Sequence, residues 1–187
     1  MLIPLRLSAQ TDEQLMLRAA RGSDRAFEEL YNRHARRLQG FFVRRLGDDA
    51  DLAADFMHDT FLRLYAAREK YHEGNSFRAW LYTIAYNLCK NHHRNQLAMV
   101  PADSVAEEAA EADIEVELDE TILHNALREA LKSLPEPYAM LFSLHYEEEL
   151  TIPQIAQITD LPEGTVKSRL HKTINIIKQQ LKKYENR

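Results

Sequence analysis

Cysteine is nearly missing from this chain. Cys89 is the only one among 187 residues, so no internal disulfide can form and the chain suits a reducing compartment. Glycine is scarce, with five in all, and alternating runs of β-branched residues are lacking. Both absences favour an all-helical protein. The opening Met1-Leu2-Ile3-Pro4-Leu5-Arg6-Leu7 is too short and too broken for a signal peptide or a membrane span. The expectation is a cytoplasmic protein. Catalytic signatures are also missing: there is no HExxH, no CxxC, no Gly-rich phosphate loop and no GxSxG. The eight histidines are scattered; His58-Asp59 matches the dipeptide of metal-dependent phosphohydrolases, and His92 and His93 point about 100° apart on a helix. Nothing in the residues calls for a metal, a cofactor or an enzymatic role.

What is present is charge, unevenly spread. The formal net charge is −5. Residues 1–95 hold 15 Lys and Arg against 12 Asp and Glu, residues 96–150 hold 2 against 14, and residues 151–187 hold 7 against 3. Two mildly basic ends therefore flank a strongly acidic middle, a pattern that points to an interaction role. A hydrophobic content of 45% is enough for packed cores, and 28% charged residues suits a soluble protein.

The punctuation predicts an all-α chain of two small helical domains joined by an acidic linker. Residues 1–9 form a tail, 10–96 a first domain, 97–118 the linker and 119–187 a second domain. A first helix starts at Thr11-Asp12-Glu13 and ends before Gly22. Ser23-Asp24 caps a second, with Phe27, Leu30, Tyr31, Leu38 and Phe42 at helical spacing up to Gly47. A third runs from about Asp49 to Arg68, and a fourth from about Ser76 to Arg94. The linker has Pro101, many Ala and Glu and almost no large apolar residues, which predicts a flexible or partly helical segment.

The third helix gathers Leu52, Ala53, Phe56, Met57, Thr60, Phe61 and Leu64 on one face. Asp51, Asp55, His58, Asp59, Leu62 and Tyr65 fall on the other. An acidic surface with a leucine at its middle suits docking to a basic partner, although a solvated face with an incidental leucine would look the same. On the fourth helix, Phe77, Leu81, Ile84 and Leu88 make a core face. Trp80, Thr83, Asn87, Lys90 and Arg94 make a second stripe, with Tyr82, Tyr86 and His93 opposite the core. Rings interleaved with amides and cations suit unstacked bases. A helix buried on two sides, with its aromatics in the core, is the competing reading.

Near the end, Thr151 with Gln154 forms a capping box, and Pro153 sits harmlessly in the first turn. A second helix follows, with Val166, Leu170, Ile174, Ile177 and Leu181 on its core face. Gly164, Thr165, Ser168, His171, Lys172 and Asn175 stand opposite, flanked by Lys167 and Arg169. Small polar groups between cations suit base edges between phosphates, as in a helix-turn-helix. A protein-binding helical hairpin is the alternative.

Five segments in order resemble the bacterial RNA polymerase sigma factors of the extracytoplasmic-function group, in the sigma-70 family. They are Asp24–Tyr31, Asp55–Tyr65, Ser76–Asn87, Leu134-Pro135-Glu136-Pro137-Tyr138 and Gly164–His171, within a resemblance running from about Asp12 to Leu181. The resemblance implies a transcription initiation factor that lends promoter specificity to core RNA polymerase. Asp55, His58, Asp59 and Leu62 would meet the clamp coiled coil of the largest subunit, and the polymerase flap would be a further contact. Trp80, Thr83, Tyr86, Asn87, Lys90, Asn91 and Arg94, with the loop Tyr71 to Asn75, would open the −10 element and hold flipped bases. Gly164, Thr165, Lys167, Ser168, Arg169, His171 and Lys172 would read the −35 element. The linker would thread toward the polymerase cleft; separately from the resemblance, the acidic run of Glu107, Glu108, Glu111 and Asp113 suggests mimicry of nucleic acid in a basic channel. An anti-sigma factor is an implied partner.

Five positions depart from the family pattern. His58 stands where Gln is usual and Tyr86 where Arg is frequent. His171 and Lys172 replace an aromatic and an arginine, and Asp160 occupies a turn position often held by Gly, which Asp tolerates better than most residues. A free-standing helix-turn-helix regulator would share the C-terminal pattern and would not need the acidic surface around Leu62.

Overall fold

The structure, a computed structural model, describes residues 7–99 and 119–185. Residues 1–6 of the expected tail and 100–118 of the expected linker, with its acidic run, lie outside the described residues. Among the described residues every regular element is helical, and the chain forms two compact units, the first up to Leu97 together with Gln157–Asp160 and the second made of the rest.

The first unit contains α1 (Asp12–Ala20), α2 (Asp24–Arg45), α3 (Ala50–Ala66) and α4 (Phe77–Met99), with short 3₁₀ turns at Leu7–Ala9 and Arg68–Lys70. Their starts follow from capping chemistry. Gln14 N–H donates to Thr11 Oγ1 at 3.3 Å and Thr11 N–H to Gln14 Oε1 at 3.1 Å, closing a reciprocal box. Asp49 accepts from Leu52 N–H at 2.9 Å, and Ser76 Oγ from Ala79 N–H at 3.3 Å. Ser23 differs from expectation: it is the N-cap of α2 but its side chain makes no capping bond. The fourth helix runs past Arg94 to Met99, since no Gly or Pro interrupts the sequence between Ser76 and Pro101.

α2 lies between α1 and α3, and Leu30, Leu38, Phe41 and Phe42 are fully buried along it. Each such side chain contributes roughly 1.5–3 kcal/mol by leaving water. Arg33 fastens the N-terminal segment to this core. Its guanidinium donates to the carbonyls of Leu7 (3.1 Å) and Gln10 (2.8 Å) and to the carboxylates of Asp12 (3.0 Å) and Glu29 (2.9 Å). The other Asp12 oxygen lies 2.7 Å from His34 Nε2. That bond, foremost, holds the Asp12 carboxyl below its usual range, with Arg33 adding to it.

The helices that follow are α5 (Asp119–Lys132), α6 (Glu136–Phe142), α7 (Ile152–Thr159) and α8 (Glu163–Glu185); all belong to the second unit except the end of α7 from Gln157. α5 and α6 both pack on α8, around Ala130, Leu134, Ala139 and Ile177. α6 continues into a π turn over Ser143–Glu147, which no periodicity in the sequence announces. Thr151 and Gln154 form the expected box, with Thr151 N–H to Gln154 Oε1 at 2.9 Å and Gln154 N–H to Thr151 Oγ1 at 3.4 Å. Asp160 takes a left-handed φ of 57°. Leu161 N–H reaches back to the Ala156 carbonyl at 3.2 Å, so α7 ends in a Schellman-type turn and α8 begins two residues later.

Candidate nucleic-acid interface

On α3, Asp55 and His58 are exposed, Asp59 is half-buried, and Leu62 is 69% exposed. Arg63 grips Asp59 through both carboxylate oxygens, at 3.0 and 2.9 Å, and that carboxylate raises the guanidinium pKa further. Tyr31, one helix away on α2, sits against this face. Its Oη is 3.2 Å from His58 Nε2, and the two rings are stacked 13° from parallel. Tyr65 does not join the exposed face as the helical wheel predicts. It turns its ring to Phe27, with centroids 5.0 Å apart, and donates its O–H to Asp24 at 2.8 Å. The Asp24 carboxylate pushes the Tyr65 phenol above its ordinary pKa.

On α4, Trp80 is half-buried. It stacks on Tyr71, with centroids 5.5 Å apart and planes 21° from parallel. Tyr71 is itself only 5% exposed, and its O–H donates to the Asn75 carbonyl. Burial, with Glu13 and Asp12 nearby, pushes its phenol up to about 12. So Tyr71, expected within the loop that would open the −10 element, is the buried platform under Trp80. His72, Glu73, Gly74 and Asn75 are the exposed part of that loop, which turns at Gly74 with φ 90°. Tyr82 also departs from expectation. It is 1% exposed and packs edge-on against Phe41 at 5.4 Å, because α4 is buried on two sides.

The remaining α4 stripe faces outward. Asn87, Lys90, Asn91 and Arg94 are exposed, while Thr83 and Tyr86 are half-buried. Thr83 Oγ1 donates to the Ala79 carbonyl at 2.7 Å, and Lys90 Nζ lies 6.0 Å from the Tyr86 ring centroid. The stripe thus offers a fixed aromatic rim with amides and cations beside it, the combination that stacks bases and meets phosphates.

On α8, Gly164, Lys167, Ser168, His171 and Lys172 are exposed and Thr165 and Arg169 half-buried. A Cβ built on Gly164 would meet nothing within 4 Å, so no neighbour within the protein requires glycine there. Lys167 Nζ is 3.6 Å from Glu163, and Ser168 Oγ donates to the Thr165 carbonyl at 3.1 Å. Asn175 Nδ2 lies 3.4 Å from His171 Nε2. Lys172 Nζ lies 5.5 Å over the Tyr138 ring of α6, a support that spacing along α8 does not reveal. Among the described residues no group of three or more His, Cys, Asp or Glu side chains is placed to hold a metal ion. Nor is any described helix long and apolar enough to cross a membrane.

A helix-turn-helix formed by α7 and α8, together with an aromatic, basic helix in α4, defines a two-part DNA-binding protein. Residues 30–98 match the family model described as Sigma-70 region 2, and residues 124–174 that described as Sigma-70, region 4. The chain is 30% identical over 186 residues to the RNA polymerase sigma-H factor of Pseudomonas aeruginosa, covering 94% of this chain and 96% of that one. It is 31% identical over 173 residues to the ECF RNA polymerase sigma-E factor of Escherichia coli, covering 86% and 88%. Its fold is similar to that of the sigma factor RpoE from Bartonella quintana, solved with the anti-sigma factor NepR. The TM-score is 0.64 at 23% identity, over 83% of this chain and 96% of that one.

The chain belongs to the sigma-70 family of RNA polymerase sigma factors, in its extracytoplasmic-function group. It is a transcription initiation factor that directs RNA polymerase to promoters, not an enzyme and not a free-standing regulator.

Proposed function

We propose that the work of initiation is divided among three helical faces. The α3 face of Asp55, His58, Asp59 and Leu62 docks on the clamp coiled coil of the polymerase's largest subunit. The α4 stripe of Trp80, Thr83, Tyr86, Asn87, Lys90, Asn91 and Arg94 recognises and melts the −10 element. The α8 face of Gly164, Thr165, Lys167, Ser168, Arg169, His171 and Lys172 reads the −35 element. Residues 10–96 and 119–187 act as the two functional domains, the second also meeting the polymerase flap. The setting is the bacterial cytoplasm, and an anti-sigma factor holds the chain inactive until a signal arrives.

The observation that carries this reading is Leu62, 69% exposed on α3 in the turn after His58 and Asp59. A leucine left in water beside carboxylates gains roughly 1.5–3 kcal/mol when a partner covers it, and the carboxylates favour a basic partner. The half-buried Trp80 on its Tyr71 platform supports the melting role. Extruding a base costs roughly a few kcal/mol, and a ring already held in place offsets more of that cost than a mobile one.

The test is competition for core RNA polymerase between the chain and its Leu62→Asp variant. Loss of polymerase binding, with DNA binding by α8 intact, is expected. Equal binding by the two proteins would contradict the docking assignment.

A further inference from the structure

We propose that Glu13, on α1, is a positioning residue for promoter melting: it caps the start of α4 and so holds the ring of Trp80 on its Tyr71 platform. This rests on the reading of Trp80 as the ring that meets extruded bases. Phe77 N–H opens α4 and, like the first N–H groups of any helix, has no acceptor within it. It donates to Glu13 Oε1 at 3.4 Å, on a residue 64 positions earlier in the chain. The local cap is already occupied, since Ser76 Oγ takes Ala79 N–H at 3.3 Å. The start of α4 is therefore closed by two oxygens, one from its own cap and one from α1.

Glu13 is itself well anchored. It lies in the first turn of α1, between the reciprocal cap of Thr11 and the buried Leu15 and Met16. Its neighbour Asp12 is held by Arg33 and His34, and the His34 ring packs 5.1 Å from that of Phe77. Phe77 is fully buried. α1 also packs on the 3₁₀ turn Arg68–Lys70, which leads directly into Tyr71. One helix thus supports both halves of the stack, the platform through that turn and Trp80 through the first turn of α4.

That first turn decides where Trp80 stands. Trp80 N–H donates to the Ser76 carbonyl at 3.1 Å, so the ring is carried by the residues that Glu13 and Ser76 close. Helix ends fray when their N–H groups lose their acceptors. A carboxylate suits them better than a neutral acceptor, because its charge also meets the positive end of the helix dipole. Without it the turn opens and the 5.5 Å stack of Trp80 on Tyr71 loosens. An extruded base then meets a ring that must first be ordered. Duplex binding by α8 needs none of this.

Trp80 is the only tryptophan of the chain, so its fluorescence reports on this ring alone. The experiment compares full-length wild type, Glu13→Ala, Glu13→Gln, Trp80→Ala and Asp49→Ala, the last removing the cap of α3 in the same unit. Acrylamide quenching is measured on the free chain. Closed- and open-complex formation are measured with core RNA polymerase on a promoter that the wild type selects from a random library. Glu13→Ala is expected to raise the quenching constant about twofold and to slow open-complex formation about fivefold, the order of a lost helix cap, with closed-complex affinity unchanged. Glu13→Gln, which keeps an oxygen acceptor, should recover most of both effects, and Asp49→Ala should show neither. Wild-type quenching and melting by Glu13→Ala would overturn the inference. The same changes in Asp49→Ala would also overturn it, by reducing them to a general loss of stability. A quenching change in Glu13→Ala without slower melting, where Trp80→Ala does impair melting, would overturn the melting role of Glu13. Open complexes left intact by Trp80→Ala would instead remove the reading on which the inference rests.

Discussion

The two helices assigned to promoter DNA, α4 and α8, are built on opposite plans. α4 is buried on two sides: Tyr82 is sealed against Phe41, Trp80 leans on the buried Tyr71, and Thr83 is bonded back to its own helix. α8 keeps its core contacts on one side, and five of its seven assigned residues are exposed. Reading a duplex needs side chains that can adapt to base edges and phosphates already in place. Capturing an extruded base needs a rigid surface prepared in advance, since the energy of ordering it would add to that of unstacking. Burial thus tracks the step proposed for each helix.

The strongest way to break this contrast is to remove the prepared ring. Trp80→Ala is expected to lower open-complex formation by about 2 kcal/mol, roughly thirtyfold, with closed-complex affinity nearly unchanged. Permanganate reactivity of unpaired thymines, set beside filter binding of the closed complex, checks it. Equal losses in the two assays would mean Trp80 serves binding and not melting.

The first unit's rigidity also depends on its N-terminal clasp. Asp12 has a folded-state pKa below its ordinary value, so its carboxylate stabilises the fold above about pH 3.8, the unfolded value. That contribution is lost as the pH falls further, through the folded value. Asp12→Asn is expected to lower stability at neutral pH by about 1–2 kcal/mol and to flatten the acid limb of the unfolding curve. Denaturant melts across acidic pH values measure both.

For α8 the expected effects are smaller. Asp160→Ala puts an ordinary side chain at a left-handed φ and should destabilise the turn between α7 and α8 by about 1 kcal/mol, read by thermal unfolding. Lys167→Ala should weaken promoter binding by about 0.5–1 kcal/mol across sequences and reduce the salt slope by about one unit. An effect confined to one base pair would make Lys167 a reader of bases instead.

Much of this was legible in the sequence, and the reason is local chemistry. Thr11, Asp49, Ser76 and Thr151 announce helix starts because a capping oxygen and the backbone N–H that donates to it lie three residues apart. Asp160 announces the turn because few residues tolerate its backbone conformation. The exposure of Leu62 followed from helical periodicity alone. What escaped depends on residues far apart in the chain. Tyr31 reads as one more apolar position of α2, yet it holds His58, 27 residues away. Tyr82 falls opposite the core on a helical wheel, but a wheel assumes one buried face and α4 has two. Lys172 gains its support from Tyr138 on another helix, and the π turn after α6 breaks the period by which helices are recognised. Of the expected acidic linker, residues 100–118 lie outside the described residues.

The most direct test of the divided-labour account is selection from a random-promoter library by the purified chain with core RNA polymerase. The account predicts two separated sequence blocks, the upstream one lost when the α8 face is altered and the downstream one when Trp80 is. A single block, bound equally well without polymerase, would contradict it.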